Sequence, residues 1–177
     1  MSMVIDGSNG LTYPNSATNG GYINGGTAVA STSGTSIDFT GIPSWVKRIT
    51  VLFNGVSTNG SSNIIIQSGN GSVETSGYLS TMAYAVGTSV GAGTFATTGF
   101  MAALVSASTT SSGIITLTSL GSNTWVHSSV IAQTNSANTA GIAGGNKTFS
   151  GVIDRVRITT VNGTDTFDAG SINILYE

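Results

Sequence analysis

Apolar and polar positions along the chain form short runs, and from Ser36 onward turn residues interrupt them about every ten positions, the spacing of a β-sandwich or barrel. The runs 36–40, 45–54, 63–69, 77–85, 94–107, 113–120, 124–133, 147–161 (with a break) and 166–176 are predicted strands. Asn54-Gly55, Asn59-Gly60, Asn70-Gly71 and Asn162-Gly163 each lie between runs rich in Val, Ile, Thr or aromatics, which predicts hairpin turns there. The two prolines, Pro14 and Pro43, lie outside the runs, as residues with no N–H to give to a ladder must.

Alternation assigns faces. Trp45, Ile49, Val51 and Phe53 share one face of their strand, and Val46, Arg48, Thr50 and Leu52 share the other. In the last run Ile172, Ile174 and Tyr176 face one way, and Asn173, Leu175 and Glu177 the other. One face of each is core. The opposite faces are not uniformly polar: Val46 and Leu52 point outward, and Ile64-Ile65-Ile66 and Ile114-Ile115 are apolar on both sides. A solvated sheet face alternates, so these runs predict a second covering layer.

Composition then narrows the class. With 177 residues there is room for one domain: a Gly/Asn-rich N-terminal arm, 1–35, with Asn-Gly pairs at 9–10, 19–20 and 24–25, and a body, 36–177. The fold class expected is all-β, an antiparallel β-sandwich (jelly-roll-like) behind that arm. Gly, Ser, Thr and Asn make up 91 residues, which disfavours helix as the main element. A mean hydropathy of +0.24 with 39% apolar residues argues against disorder. Absence of cysteine removes disulfide frameworks, thiolate zinc sites, iron–sulfur clusters and Cys nucleophiles. Met1 to Gly7 lacks the basic-then-apolar pattern of a secretory signal, and purely apolar stretches such as 101–105 are far below the roughly 20 residues that span a bilayer. Five cations and a pI near 5.1 supply no basic field for nucleic acid. The expectation is neither membrane insertion nor nucleic-acid binding.

Charge is scarce and unevenly placed. Only 7% of residues are charged, against about one-quarter in an average soluble protein. Residues 75–146 contain no Asp, Glu, Lys or Arg at all. Solubility ordinarily relies on scattered charges and guarded strand edges, so the neutral stretch predicts that identical chains bury part of it against one another.

Candidate chemistry is sparse. Gly87-Thr88-Ser89-Val90-Gly91 matches the G-x-S-x-G nucleophile elbow, with His127 as a conceivable base. The flanks are Gly-rich without helical periodicity, and His127 reads more simply as a polar strand residue. Asp165 and Asp168 between Asn162 and Gly170 could offer oxygens to a hard cation, but a hairpin turn with Asp side chains on local backbone is the preferred reading. Arg155 and Arg157 alternate on one strand face, placed to pair with acids across the sheet. Trp45 and Trp125 could stack on sugars, with core packing the simpler fate. Sequons at Asn59, Asn70, Asn146 and Asn162 arise readily in this composition. No catalytic, cofactor-binding or metal residue is assigned, no cofactor is expected, and the chain is read as a non-enzyme.

The segment 34–60, GTSIDFTGIPSWVKRITVLFNGVSTNG, resembles a stretch that recurs in tailed-bacteriophage structural proteins, particularly the distal domains of tail fibres. The segment 154–177, DRVRITTVNGTDTFDAGSINILYE, resembles the C-terminal closure of the same domain, and 4–14, VIDGSNGLTYP, is similar to a short element that precedes such tips. The resemblance implies a β-sandwich module on a virion, at the tail or baseplate, assembled as a homotrimer. It implies adhesion to host-surface carbohydrate or protein and carries over no catalytic residue. Fibres of this kind ordinarily have a long upstream shaft, whereas about 35 residues precede the body here. The arm is therefore expected to dock onto a neighbouring virion protein. The alternative is a capsid decoration or cement protein with no external ligand.

Overall fold

The computed structural model describes the backbone at 4–6 and 10–12 and the chain at 23–91, 93–103, 105–107, 109–135 and 139–177. The turn expected at 19–20 lies outside these residues, as does Asn9 of the first Asn-Gly pair. Strands β1 (Val4–Asp6) and β2 (Gly10–Thr12) pair with each other. β3 (Asn24–Gly25) and β4 (Val29–Ala30) belong to the arm. The body contains β5 (Ser36–Thr40), β6 (Arg48–Thr58), β7 (Ile64–Gly69), β8 (Leu79–Val86), β9 (Ser89–Val90) and β10 (Thr94–Ala96). It continues with β11 (Phe100–Ala103), β12 (Ser111–Gly121), β13 (Thr124–Gln133), β14 (Thr139–Thr148), β15 (Arg155–Thr160) and β16 (Phe167–Tyr176). The fold is an all-β sandwich with every described pairing antiparallel. The larger sheet has the order β10-β8-β14-β13-β12-β6-β16-β3, with β4 beside β16 and β9 beside β8. The smaller has the order β11-β7-β15-β5.

One core lies between the sheets. Ile49, Val51 and Phe53 of β6, Ile115 and Leu117 of β12, and Ile172 and Ile174 of β16 meet Ile37, Phe39, Ile64, Ile66, Phe100, Val156 and Ile158 of the smaller sheet. β13 shows why these residues make a strand: Trp125, His127, Ser129 and Ile131 are buried, while Val126, Ser128 and Val130 between them are exposed. β7 is buried on both faces. Ile64 and Ile66 join the core, and Ile65 packs with Met101 against Met82 of β8 and Ala96 of β10. For the triple isoleucine the second covering layer is therefore the chain's own larger sheet.

The Asn-Gly pairs turn the chain, but not into hairpins. Asn59-Gly60, Asn70-Gly71 and Asn162-Gly163 stand at corners where the chain leaves one sheet for the other. Asn54-Gly55 lies inside β6 as a bulge: Ser57 and Asn54 oppose Ala169 and Ser171 of β16, so β6 carries an extra residue there. Gly55 takes φ +63°, and its N–H, displaced from the ladder, donates to Ser112 Oγ at 2.9 Å. A tight hairpin forms instead at Ser122-Asn123 between β12 and β13, both with positive φ (49° and 59°), the type I′ requirement.

Other differences have simple causes. Val46 does not point outward: residues 43–46 form a turn, with Val46 N–H on the Pro43 carbonyl at 3.1 Å, so strand parity does not extend to it and its side chain is buried. The run 94–107 is two strands in different sheets, broken at 97–99. The first eight residues of β14 carry little apolar bulk, yet they form a central strand. Gly145 faces Leu79 and Ser80 so closely that a Cβ would collide with their backbone.

The bulge generates a prediction. Gly170 has φ +91°, and a Cβ there would run into the Gly55 peptide, whereas Gly163 has φ +70° with open space around it. Gly170→Ala is expected to cost more than about 2 kcal/mol and Gly163→Ala about 1 kcal/mol, measured by urea denaturation. Equal losses would mean the bulge relaxes without cost.

Candidate functional site

The residues of the G-x-S-x-G match form a β-turn. Gly87, at φ +58°, and Thr88 connect β8 to β9, and Ser89 stands exposed opposite Val86. His127 pairs with Gly145 of β14, and Val86 pairs with Thr139 of the same strand. Ser89 and His127 are thus about 20 Å apart along the sheet, one exposed and the other in the core. The structure does not bring them together.

Asp165 acts as a corner pin. Its Oδ2 accepts from Ser62 N–H at 2.9 Å, and its Oδ1 from Asn162 Nδ2 at 2.6 Å. Its carboxylate lies where a side chain on Gly60 would be. The hydrogen bond from Asn162, with that from Ser62, holds the Asp165 carboxyl below its ordinary value. Asp168 is exposed on β16. Among the described residues no group of three or more His, Asp or Glu is gathered to hold a metal ion. Asn59 Oδ1 accepts from Thr166 N–H at 2.9 Å, so two sequon asparagines, Asn59 and Asn162, tie corners. Asn70 and Asn146 are exposed.

The arginines pair with acids. Arg157 meets Asp38, its cross-strand neighbour on β5, through two bonds of 2.7 and 2.8 Å. Arg155 does not pair across the sheet, where it faces Thr40 and Gly69, and meets its sequence neighbour Asp154 at 2.7 and 3.2 Å. Asp38, Thr40, Arg155, Arg157 and the 71–73 turn line a groove on the outer face of the smaller sheet. The hydrogen bond with Asp38 raises the Arg157 guanidinium further, and that from Arg155 holds Asp154 low. Each cation already has its counter-charge, so the groove offers no net charge to a ligand. Trp125 is in the core, and Trp45 is 39% exposed, tilted against Tyr176 at 6.1 Å between ring centroids.

Topology assembles one cluster that local sequence does not announce. Lys147, at the end of β14, is 5% exposed, and its Nζ meets Glu74 Oε2 at 2.7 Å and the Ser76 carbonyl at 2.8 Å. The ammonium lies over the rings of Tyr78 and Phe149, 4.9 and 5.1 Å from their centroids. Burial opposes ionisation of Glu74, but hydrogen bonds from Lys147 and Ser150 outweigh it and hold the carboxyl below its ordinary value. Tyr78 Oη accepts from Ser68 N–H and donates to the Glu74 carbonyl, both at 2.9 Å, and burial pushes its phenol up. Its ring meets Phe100 edge-on at 4.9 Å, and Phe100 stacks on His127 at 5.0 Å. Both His127 nitrogens are buried without a hydrogen-bond partner, and burial lowers the imidazole to about 4. The cluster joins the 70–76 loop to both sheets. Lys147, Tyr78 and His127 are enclosed by the core, and Glu74 stands part-exposed at its edge.

The outer face of the larger sheet is of the opposite character. Ile114, Val130 and Ile142 lie side by side on adjacent strands and are 52%, 64% and 63% exposed. Here the covering layer expected over Ile114 does not come from the described residues of the chain. No helix among those residues is long and apolar enough to cross a membrane. Comparison of the chain with protein-family models, characterised proteins and solved structures finds no match.

Two outcomes follow for the buried cluster. The unfolded chain protonates His127 near its ordinary 6.5, while the folded chain resists protonation down to about 4. Between those values the unfolded state binds the extra proton, so stability falls as pH drops from 6.5 to 4, by up to about 3 kcal/mol. Denaturation across that range should show the slope, and His127→Leu should flatten it. Glu74→Gln should leave the Lys147 ammonium without a counter-charge and cost about 2 kcal/mol or more. Adding Lys147→Met should recover most of that loss in the same assay.

Proposed function

We propose that this chain is a structural protein of a tailed-bacteriophage particle: a short tail fibre or receptor-binding protein that adheres to the host surface as a homotrimer. The reading draws on the resemblance of segments 34–60 and 154–177 to distal fibre domains. The observation that carries it is the uncharged, apolar outer face of the larger sheet, left uncovered on a rigid all-β scaffold. A protein that works inside a multi-copy assembly can tolerate such a face, because its neighbours remove it from water.

Binding here is adhesion by multivalency. Several copies on one particle convert a modest affinity per site into firm attachment to a repeating carbohydrate or protein surface, with no bond made or broken. The loops that leave the scaffold supply the contacts, held in place by corner pins such as Asp165. Residues 24–30 of the arm are engaged with β16 of the same chain, so attachment to a neighbouring virion protein falls to the residues before Ile23.

The competing reading, a capsid decoration or cement protein, uses the same uncovered face and differs in position on the particle. Antibody raised against the chain should label tail tips or baseplates of purified particles in electron micrographs. Label over the capsid faces would transfer the proposal to the cement reading, and particles free of the chain would overturn both.

A further inference from the structure

We propose that copies of this chain associate through the outer face of the larger sheet, with a second copy seated on the row Leu52, Ile114, Val130, Ile142 and Ala83. The proposal rests on the self-association in the preceding reading and specifies its surface. Register puts these five residues in one line across β6, β12, β13, β14 and β8, each opposite the next. The line is a ridge. On one side it is flanked by Ala132, Ala140 and Ala85, and on the other by Thr116, Ser128 and Gly144, also in register. Successive rows on one face are about 7 Å apart, so a bulky row runs between two shallow furrows. A second copy presents the same relief, and its ridge fits the alanine furrow of the first.

Charge and size argue for that occupant. The charged side chains on these five strands are Arg48, paired with Glu177 at one end of β6, and Lys147, which points into the core. A partner recognised by charge finds nothing to pair with across the middle of this face, whereas an identical neutral face is matched to it. Five strands about 4.8 Å apart and eight residues rising about 3.4 Å each give a face of roughly 650 Å². That approaches the about 800 Å² each partner contributes to a stable interface. Of the fourteen large apolar residues exposed in the described chain, nine fall within the charge-free stretch 75–146, and three of these, Ile114, Val130 and Ile142, stand in this row.

Sedimentation velocity on the full chain at micromolar concentration tests this. The unaltered protein is expected to sediment as a multiple of 17.7 kDa. Val130→Lys and Ile142→Lys, both at exposed positions, should weaken association by about 100-fold or more and release 17.7 kDa particles with unchanged circular dichroism. Val161→Lys, also exposed but in the β15–β16 corner, should leave the assembly intact. If both variants remain assembled, the face is overturned while self-association stands. An unaltered protein that sediments only as monomer overturns both. A monomer that floats with neutral phosphatidylcholine vesicles assigns the face to lipid and overturns the second copy as its occupant. None of these results bears on where particles carry the label, so the adhesion reading is tested separately.

Discussion

Burial of the inner faces of two unequal sheets against each other is the interaction on which the remainder of the molecule depends. Each of the central strands must present one face to the other sheet, which fills most of the inward positions of β6, β12, β13 and β16 with Ile, Val, Leu, Phe and Trp. It also decides which polar groups end inside. Lys147, His127 and Tyr78 lie inward because strand parity and chain path put them there. The aromatic rings and the Glu74 carboxylate make that burial tolerable for the ammonium. His127 has only the stacking of Phe100, with no hydrogen bond to either nitrogen, and is the weak point of the core toward acid.

The same closure separates charge from neutrality. Ion pairs concentrate on the smaller sheet, at its corners and at the end of β6, with Arg157–Asp38, Arg155–Asp154 and Arg48–Glu177 at the surface. Most of the larger sheet is built from the neutral stretch 75–146. Its outer face therefore has apolar and hydroxyl-bearing side chains as its vocabulary. A molecule divided in this way can keep one side in water while the other is held by neighbours, and this division links the fold to the proposed adhesive role.

Much of the fold is legible along the chain, and the limits have physical reasons. β5 and β13 match their runs to the residue because alternation is strong and turns flank both. β14 is hidden because its inward positions are Gly141, Ala143 and Gly145, small where β8 and β11 crowd in, so it lacks the bulk that periodicity reads. Asn-Gly is read as a hairpin, although Gly55, Gly71 and Gly163 report only positive φ and Gly60 not even that. Crossing between sheets and bulging a strand use the same backbone freedom, and only the core decides among them. Of the candidate residues, the Arg157–Asp38 pairing follows from strand-face reasoning. The Glu74–Lys147 pair does not, because Glu74 lies in the loop between β7 and β8, where no strand face assigns it a partner. The outer ridge is equally invisible without register, its members being scattered from Leu52 to Ile142.

The N-terminal segment from Asn24 to Ala30 has a further bearing on assembly. It lies along β16 as two very short strands, with Gly26 N–H on the Ile174 carbonyl at 2.8 Å and Ser31 Oγ on the Ala169 carbonyl at 2.8 Å. That margin of the larger sheet is thereby occupied by the molecule's own leader, in pieces too brief to template another strand. Endless fibril-like extension needs a donor margin on one subunit and a receptive one on the next, and here one of the two is stoppered. Contacts made with the flat of the sheet can therefore build a closed, countable particle without competing against runaway polymerisation.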